Sequence, residues 1–204
     1  MRSIRYVAVL AGVLMGTLSL VPASAATVQN APARVLGASI APWTGNADTA
    51  AGRASLRELK SDHANTVSLV LPLCQATLTS DSIARCWDMP SDADITATIR
   101  YARSIGLNVM LNLHVDADDP NLWRANINPT NRHAWFTAYG GWAVHYGRLG
   151  QLAGASGFCI GTEMYHVSDP RANPGNTAAW VNYIIKPVRQ VLIYLANQLM
   201  QKQG

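Results

Sequence analysis

Short apolar runs alternate with stretches of helical spacing along the whole chain. Residues 35–40 form an apolar run closed by Ala41-Pro42, which reads as a buried strand. Residues 53–62 are polar, with Leu56 and Leu59 on one side, which is helical spacing. Residues 66–71 predict a second strand ending at Pro72. Ser91 then caps a helix, with Asp94 three residues on in a capping-box arrangement and Ile95, Ile99 and Ala102 as its stripe, and Gly106 stops it. A third strand is predicted over residues 107–113. A long polar loop follows, then a helix on which Trp135, Tyr139, Trp142, Tyr146 and Leu149 share a face. Residues 158–161 give a fourth strand, and a helix from about Thr177 carries Trp180, Ile184 and Val188.

Four strand-helix units in succession imply a parallel sheet with right-handed crossovers. An open doubly wound sheet and a (β/α)8 barrel share that pattern. The first strand is followed by Ala41-Pro42-Trp43-Thr44-Gly45 rather than a glycine-rich turn. No GxGxxG or GxxxxGK[ST] motif occurs, which argues against nucleotide binding. Polar and aromatic residues gather after the strands instead: Trp43, then Cys74 and Gln75, then His114 and Asp116, then Glu163. Chemistry at the C-terminal ends of several parallel strands is the habit of the barrel.

The N-terminus changes the picture of where the chain works. Arg2 and Arg5 precede an apolar stretch over residues 7–21, and Ala23-Ser24-Ala25 supplies small residues at a cleavage site, so residues 1–25 read as a secretory signal peptide and 26–33 as a short lead-in. The apolar stretch is shorter than the roughly 20 residues needed to span a bilayer, so no membrane association is expected after cleavage. With 49% hydrophobic and 14% charged residues the chain is not a disordered polymer. Loss of the leader lowers the formal charge from +4 to +2, too little for a nucleic-acid footprint. Export permits disulfides, and Cys74 and Cys86 fall in one segment between a strand and a helix, where a bridge would staple a long loop. Cys159, inside an apolar run, reads as a small buried hydrophobe.

Glu163 ends the fourth strand. A carboxylate backed by apolar residues at a barrel mouth is placed to have its pKa raised and to act as a general acid. His114 and Asp116 alternate along an extended backbone and point the same way, suited to sugar hydroxyls or to a metal, for which His166 would complete a set. Asp118 and Asp119, beside Pro120, read as a solvated turn. Trp135, Trp142 and Trp180 lie on helical stripes and belong to the core, whereas Trp43, Trp87 and Trp123 lie in loops after the first three strands, where flat apolar faces suit pyranose rings. For Trp87 the competing reading is loop anchoring.

The third strand running into His114-Val115-Asp116, Trp135-Phe136 with Tyr139 on the next helix, and the run from Phe158 through Gly161-Thr162-Glu163-Met164 together resemble the clan-A (β/α)8 glycoside hydrolases, closest to family 113, the bacterial endo-β-mannanases. The likeness covers about residues 34–190. It implies that Glu163 is the acid/base of a retaining glycosidase and that Thr162 stands where most of the clan has an asparagine contacting the sugar 2-hydroxyl. His114 and Asp116 would line the glycone side of the cleft, while Trp43 and Trp123 remain sugar-contact candidates from their loop positions alone. Asn112-Leu113 stands where the family often has Lys-Pro. In the clan the nucleophile comes from the seventh strand, while this chain has only one other glutamate, Glu58, in the first helix.

The expectation is therefore an α/β chain, an incomplete (β/α)8 barrel over 34–204, truncated after its fourth unit. It would be a secreted, β-mannanase-like retaining glycoside hydrolase fragment that acts on oligo- or polysaccharide, needs no cofactor and no metal, and is inactive alone. Two rivals remain: a non-catalytic carbohydrate-binding half-barrel that self-associates through exposed sheet edges, and a metal hydrolase using His114, Asp116 and His166. Residues 192–197 resemble the start of the family's fifth strand, yet without its Gly-Pro turn they can continue a helix from Pro187.

Overall fold

β2 (Thr66–Gln75) and β4 (Asn108–Ala117) run parallel in register over ten residues, from Thr66 opposite Asn108 to Gln75 opposite Ala117, and form the centre of the sheet. The structure, a computed structural model, describes residues 34–41 and 48–201; the expected leader, the lead-in and Trp43 lie outside them. β1 (Gly37–Ile40) is parallel to β2 on one side, β5 (Gly157–Cys159) is parallel to β4 on the other, and the order is β1-β2-β4-β5. The two-residue β3 (Ala84–Arg85) pairs antiparallel with Leu73 and Cys74.

The period of two decides what each face does. Val109, Leu111, Leu113 and Val115 of β4, with Val67, Leu69, Leu71 and Leu73 of β2, are fully or almost fully buried. They belong to one core with residues of α1 (Ala50–Ser61), α2 (Asp92–Ser104) and α3 (Arg132–Ala153). The opposite face carries Met110, Asn112, His114 and Asp116 in alternation, and Met110 is 38% exposed. In a closed barrel that face is packed with side chains.

Local signals explain the helices. At α2, Ser91 Oγ accepts the Asp94 N–H at 3.1 Å while an Asp94 carboxylate oxygen accepts the Ser91 N–H at 3.3 Å, the expected reciprocal box. α3 is capped by Asn131, whose side-chain oxygen accepts the Ala134 N–H, and ends at Gly154, whose φ of 94° suits only glycine well. Its stripe is core, as expected: Trp135 donates to Gln75 Oε1 at 2.9 Å, and the Tyr139 hydroxyl donates to the Ile160 carbonyl at 2.7 Å. Burial pushes both the Tyr139 and Tyr146 hydroxyls up, that of Tyr146 to about 12. Gly140 lies against the backbone of Tyr183, and a Cβ there would come within 2.2 Å of that carbonyl oxygen.

Beyond β5, α4 (Tyr165–Ser168) and α5 (Asn176–Ala179) lead into a π-helical segment, Trp180–Ile185, and then α6 (Lys186–Gln201). Of the two readings for residues 192–197, the helix is therefore the one found. Pro187, which has no N–H to offer, stands where the wider π turn gives way to α6. Among the described residues no helix is long and apolar enough to cross a membrane.

The C-terminal ends of three strands differ from expectation. β2 does not stop at Pro72 but runs to Gln75. The Pro72 carbonyl accepts the Cys86 N–H on the β3 side, beyond the end of β1, so the missing proline N–H falls where the sheet is at its edge. β4 likewise runs four residues past Leu113, so His114 and Asp116 are strand residues and not loop residues. β5 starts one residue early and stops at Cys159. The bridge between Cys74 and Cys86 is formed, with Cα atoms 5.0 Å apart, and ties the end of β2 to the residue after β3.

Candidate active site

The C-terminal ends of β4 and β5 bring four of the singled-out residues together around one that the sequence reading passed over. After β5 the chain continues through Ile160, Gly161 and Thr162 to Glu163, whose φ is 56°. A non-glycine residue in that region costs about 1–2 kcal/mol, and such strain clusters at functional sites. Gly161 makes the turn sterically accessible: a Cβ there would lie 2.8 Å from the Trp180 ring and 2.9 Å from Met164. The Glu163 carboxylate then accepts the indole N–H of Trp123 and an Arg124 N–H, both at 3.3 Å.

Arg124 opens a short 3-10 turn, Arg124–Asn126, in the loop after β4. Its guanidinium holds two carboxylates, Asp116 at 2.7 Å and Glu163 at 3.3 Å, while being only 18% exposed itself. Glu163 is 54% exposed and faces this cation, so the apolar enclosure expected for it is not what surrounds it. No spacing rule marks an arginine in a polar loop, and only its adjacency to Trp123 offered a hint. A cleft of about 240 Å³ lies at the turn, lined by Gly161, Thr162, Glu163, Met164, Ser168 and Trp180.

Thr162 donates to Asn112 Oδ1 at 2.8 Å, and its hydroxyl also lies 4.0 Å from Cys159 Sγ. Asn112 thus braces β4 to the Glu163 turn, a role hidden in the sequence because Asn112 read only as a departure from Lys-Pro. His114 lies between Asn112 and Asp116 on the same face. Burial lowers its pKa first, and Arg124 lowers it further, outweighing Asp116 and Glu163, so the imidazole is neutral at pH 7. Its Nδ1 is buried without a hydrogen-bond partner among the described residues.

His166 does not join the cluster. Its ring packs edge-on to Tyr165 at 5.2 Å and its carbonyl accepts from Asn176. No three His, Cys, Asp or Glu side chains among the described residues are grouped to hold a metal ion. Asp119 forms the expected turn, its carboxylate accepting the Asn121 N–H at 2.9 Å. Trp123 stands at the carboxylate, and Trp87, next to the Cys74–Cys86 bridge, is 95% exposed and anchors no loop.

The family model described as Glycoside Hydrolase Family 113 matches residues 40–201. No curated protein sequence matches. Among solved structures, a GH113 β-1,4-mannanase in a complex shares 23% identity at a TM-score of 0.68, a likeness of fold. A GH113 β-mannanase from Alicyclobacillus acidocaldarius in complex with ManMIm shares 27% identity at a TM-score of 0.66. A further GH113 β-1,4-mannanase shares 25% identity at 0.67. Each comparison covers 76% of this chain, and the chain spans about half the length of those structures, 50–52%. The sheet is a partial (β/α)8 barrel.

Proposed function

Because the chain belongs to glycoside hydrolase family 113, we propose that it carries the acid/base half of a retaining β-mannanase site, with Glu163 as the proton-transferring group. The observation that carries this reading is the Glu163 turn: a strained backbone that presents a carboxylate at a barrel-strand end, steadied by Trp123 and Arg124. In the first step Glu163 gives a proton to the glycosidic oxygen as the C–O bond breaks and a second carboxylate forms a glycosyl ester. In the second step Glu163 takes a proton from water as that water cleaves the ester. Asp116, fixed by Arg124, accepts from a sugar hydroxyl, and neutral His114 and Thr162 contribute further hydrogen bonds.

Retention needs two carboxyl groups about 5 Å apart. Glu58 is exposed on α1, and Asp116 is committed to the guanidinium that also holds Glu163. The nucleophile in this reading is supplied from outside the described residues, and the isolated chain binds β-1,4-mannan without turning it over. The chain is exported, a reading supported by Arg2, Arg5 and the apolar run before Ala23-Ser24-Ala25, and by a well-placed bridge between Cys74 and Cys86.

Calorimetry with β-1,4-manno-oligosaccharides, alongside a reducing-sugar assay on mannan, tests the proposal. Binding that is weakened by Trp123→Ala, with no release of reducing ends, is expected. Absence of binding refutes the substrate class, and turnover abolished by Glu163→Gln refutes the placement of the nucleophile.

A further inference from the structure

The helical face of the partial barrel carries a cavity of about 470 Å³ between α2 and α3, lined by Thr96 and Arg100 of α2 and by His145, Arg148, Leu149 and Leu152 of α3. It shares no lining residue with the cleft at Glu163. The second halves of these helices lead into the N-terminal ends of β4 and β5, whereas Glu163 follows the C-terminal end of β5. The two openings therefore belong to opposite ends of the strands.

The charges around this cavity have one sign, and the sequences of the two helices make them so. α3 has no acidic residue in its 22 positions, so Arg148 finds no carboxylate three or four residues away on its own helix. Arg100 has Thr96, Ala97, Arg103 and Ser104 at those spacings. The two acids of α2 are engaged elsewhere. Asp94 closes the capping box with Ser91, while Asp92 holds Arg85 at 2.6 Å and His145 Nε2 at 2.8 Å. Arg103 turns away, donating to Asn108 and Ser156. Neither Arg100 nor Arg148 has an ion pair or a side-chain hydrogen bond among the described residues. Two guanidiniums around one cavity without a counter-charge repel each other. A bound anion removes that repulsion and accepts from two planar forks of N–H groups.

The rest of the wall is apolar. Leu149 packs against the core, but Leu152, one turn further along α3, is 51% exposed. A leucine standing alone on a surface needs no explanation. Set in a concavity beside two unpaired guanidiniums, it gives that concavity an apolar side to match its cationic one. A bare inorganic anion would use only the cationic side, and a flat bilayer does not enter a concavity. The volume falls within the roughly 300–1,000 Å³ of small-ligand sites, which combine apolar walls with a few convergent polar groups. We infer that the groove between α2 and α3 binds a small amphiphilic anion, its carboxylate held by Arg100 and Arg148 and its apolar tail laid against Leu149 and Leu152. This site is independent of the reading of Glu163.

Calorimetry at low ionic strength with decanoate, kept below its micelle-forming concentration, and with acetate and inorganic phosphate tests this on the full chain and its variants. Decanoate is expected to bind, and acetate and phosphate to bind about tenfold or more weaker. Arg100→Gln and Arg148→Gln each weaken decanoate about tenfold, the size of one charge-assisted hydrogen bond, and Leu152→Ala weakens it about fivefold. Trp123→Ala leaves it unchanged. The imidazole resonances of His145, identified by their loss in His145→Gln, move when decanoate is added. Absence of decanoate binding overturns the site. Binding that survives the double variant Arg100→Gln/Arg148→Gln lies elsewhere and overturns it too. Acetate or phosphate bound as tightly as decanoate overturns the amphiphile and leaves only a cluster of charge. Both arginines are exposed, and circular dichroism melts check that their variants fold. If one melts early, the Leu152→Ala affinity and the His145 shift decide the matter.

Discussion

The positive φ of Glu163 makes a prediction whose sign runs against the ordinary rule. Removing the carboxylate deletes the contacts with Trp123 and Arg124 whatever replaces it, so Glu163→Ala and Glu163→Gly lose the same interactions and differ only in backbone terms. At a site of ordinary φ, alanine is more stable than glycine by about 0.4–1 kcal/mol, because glycine has more freedom to lose. At φ 56° an alanine keeps a strain of about 1–2 kcal/mol that glycine does not feel. The balance favours Glu163→Gly over Glu163→Ala by about 0.5–1 kcal/mol. For a domain of this size that is a difference in melting temperature of roughly 1–4 °C. Thermal and urea melts followed by circular dichroism measure it directly. If Glu163→Ala melts at or above Glu163→Gly, the turn is not strained, and the argument that strain is held there for the sake of the carboxylate fails.

Two further outcomes are expected. His114 has a folded-state pKa below its unfolded value of about 6.5, so on acidification the unfolded chain binds a proton before the native chain does. Stability should accordingly fall as pH drops below about 6.5 toward the folded value, and His114→Asn should flatten that limb in urea melts taken from pH 7 to 5. Gly140→Ala should destabilise by about 3 kcal/mol or more, since its methyl would overlap the Tyr183 carbonyl. The neighbouring Gly141→Ala meets nothing within 4 Å and should gain about 0.5–1 kcal/mol, so equal melts for the two variants would refute the close approach of α3 to the π segment.

The strand-helix cadence was legible because buried parallel strands are short apolar runs and the helices between them carry local stop and start residues. Ser91 with Asp94 and Gly154 after Ala153 act within one turn of chain, so sequence alone carries them. The strand ends were not legible. His114 and Asp116 lie on the face of β4 turned away from the helices, so the apolar run breaks off at Leu113 while the ladder to β2 continues. Pro72 looked like a terminator because the sequence does not say that β1 has already ended beside it. Glu163 and Thr162 came through as a short motif. Arg124, which organises them, depends on contacts 8 and 39 residues away and left no pattern to read.

The pairing of Cys74 with Cys86 has a consequence for how the molecule matures. A third thiol, Cys159, is on β5, level with Asn112, whereas Cys74 is level with Asp116. Two strand spacings across and four residues along put Cys159 about 16 Å from Cys74, far outside the roughly 7 Å that a bridge can span between Cα atoms. Once β2, β4 and β5 have zipped together, the wrong bridge cannot close and the right one can. Sheet register thus proofreads the oxidation, and an error there can arise only in the interval before the strands have met.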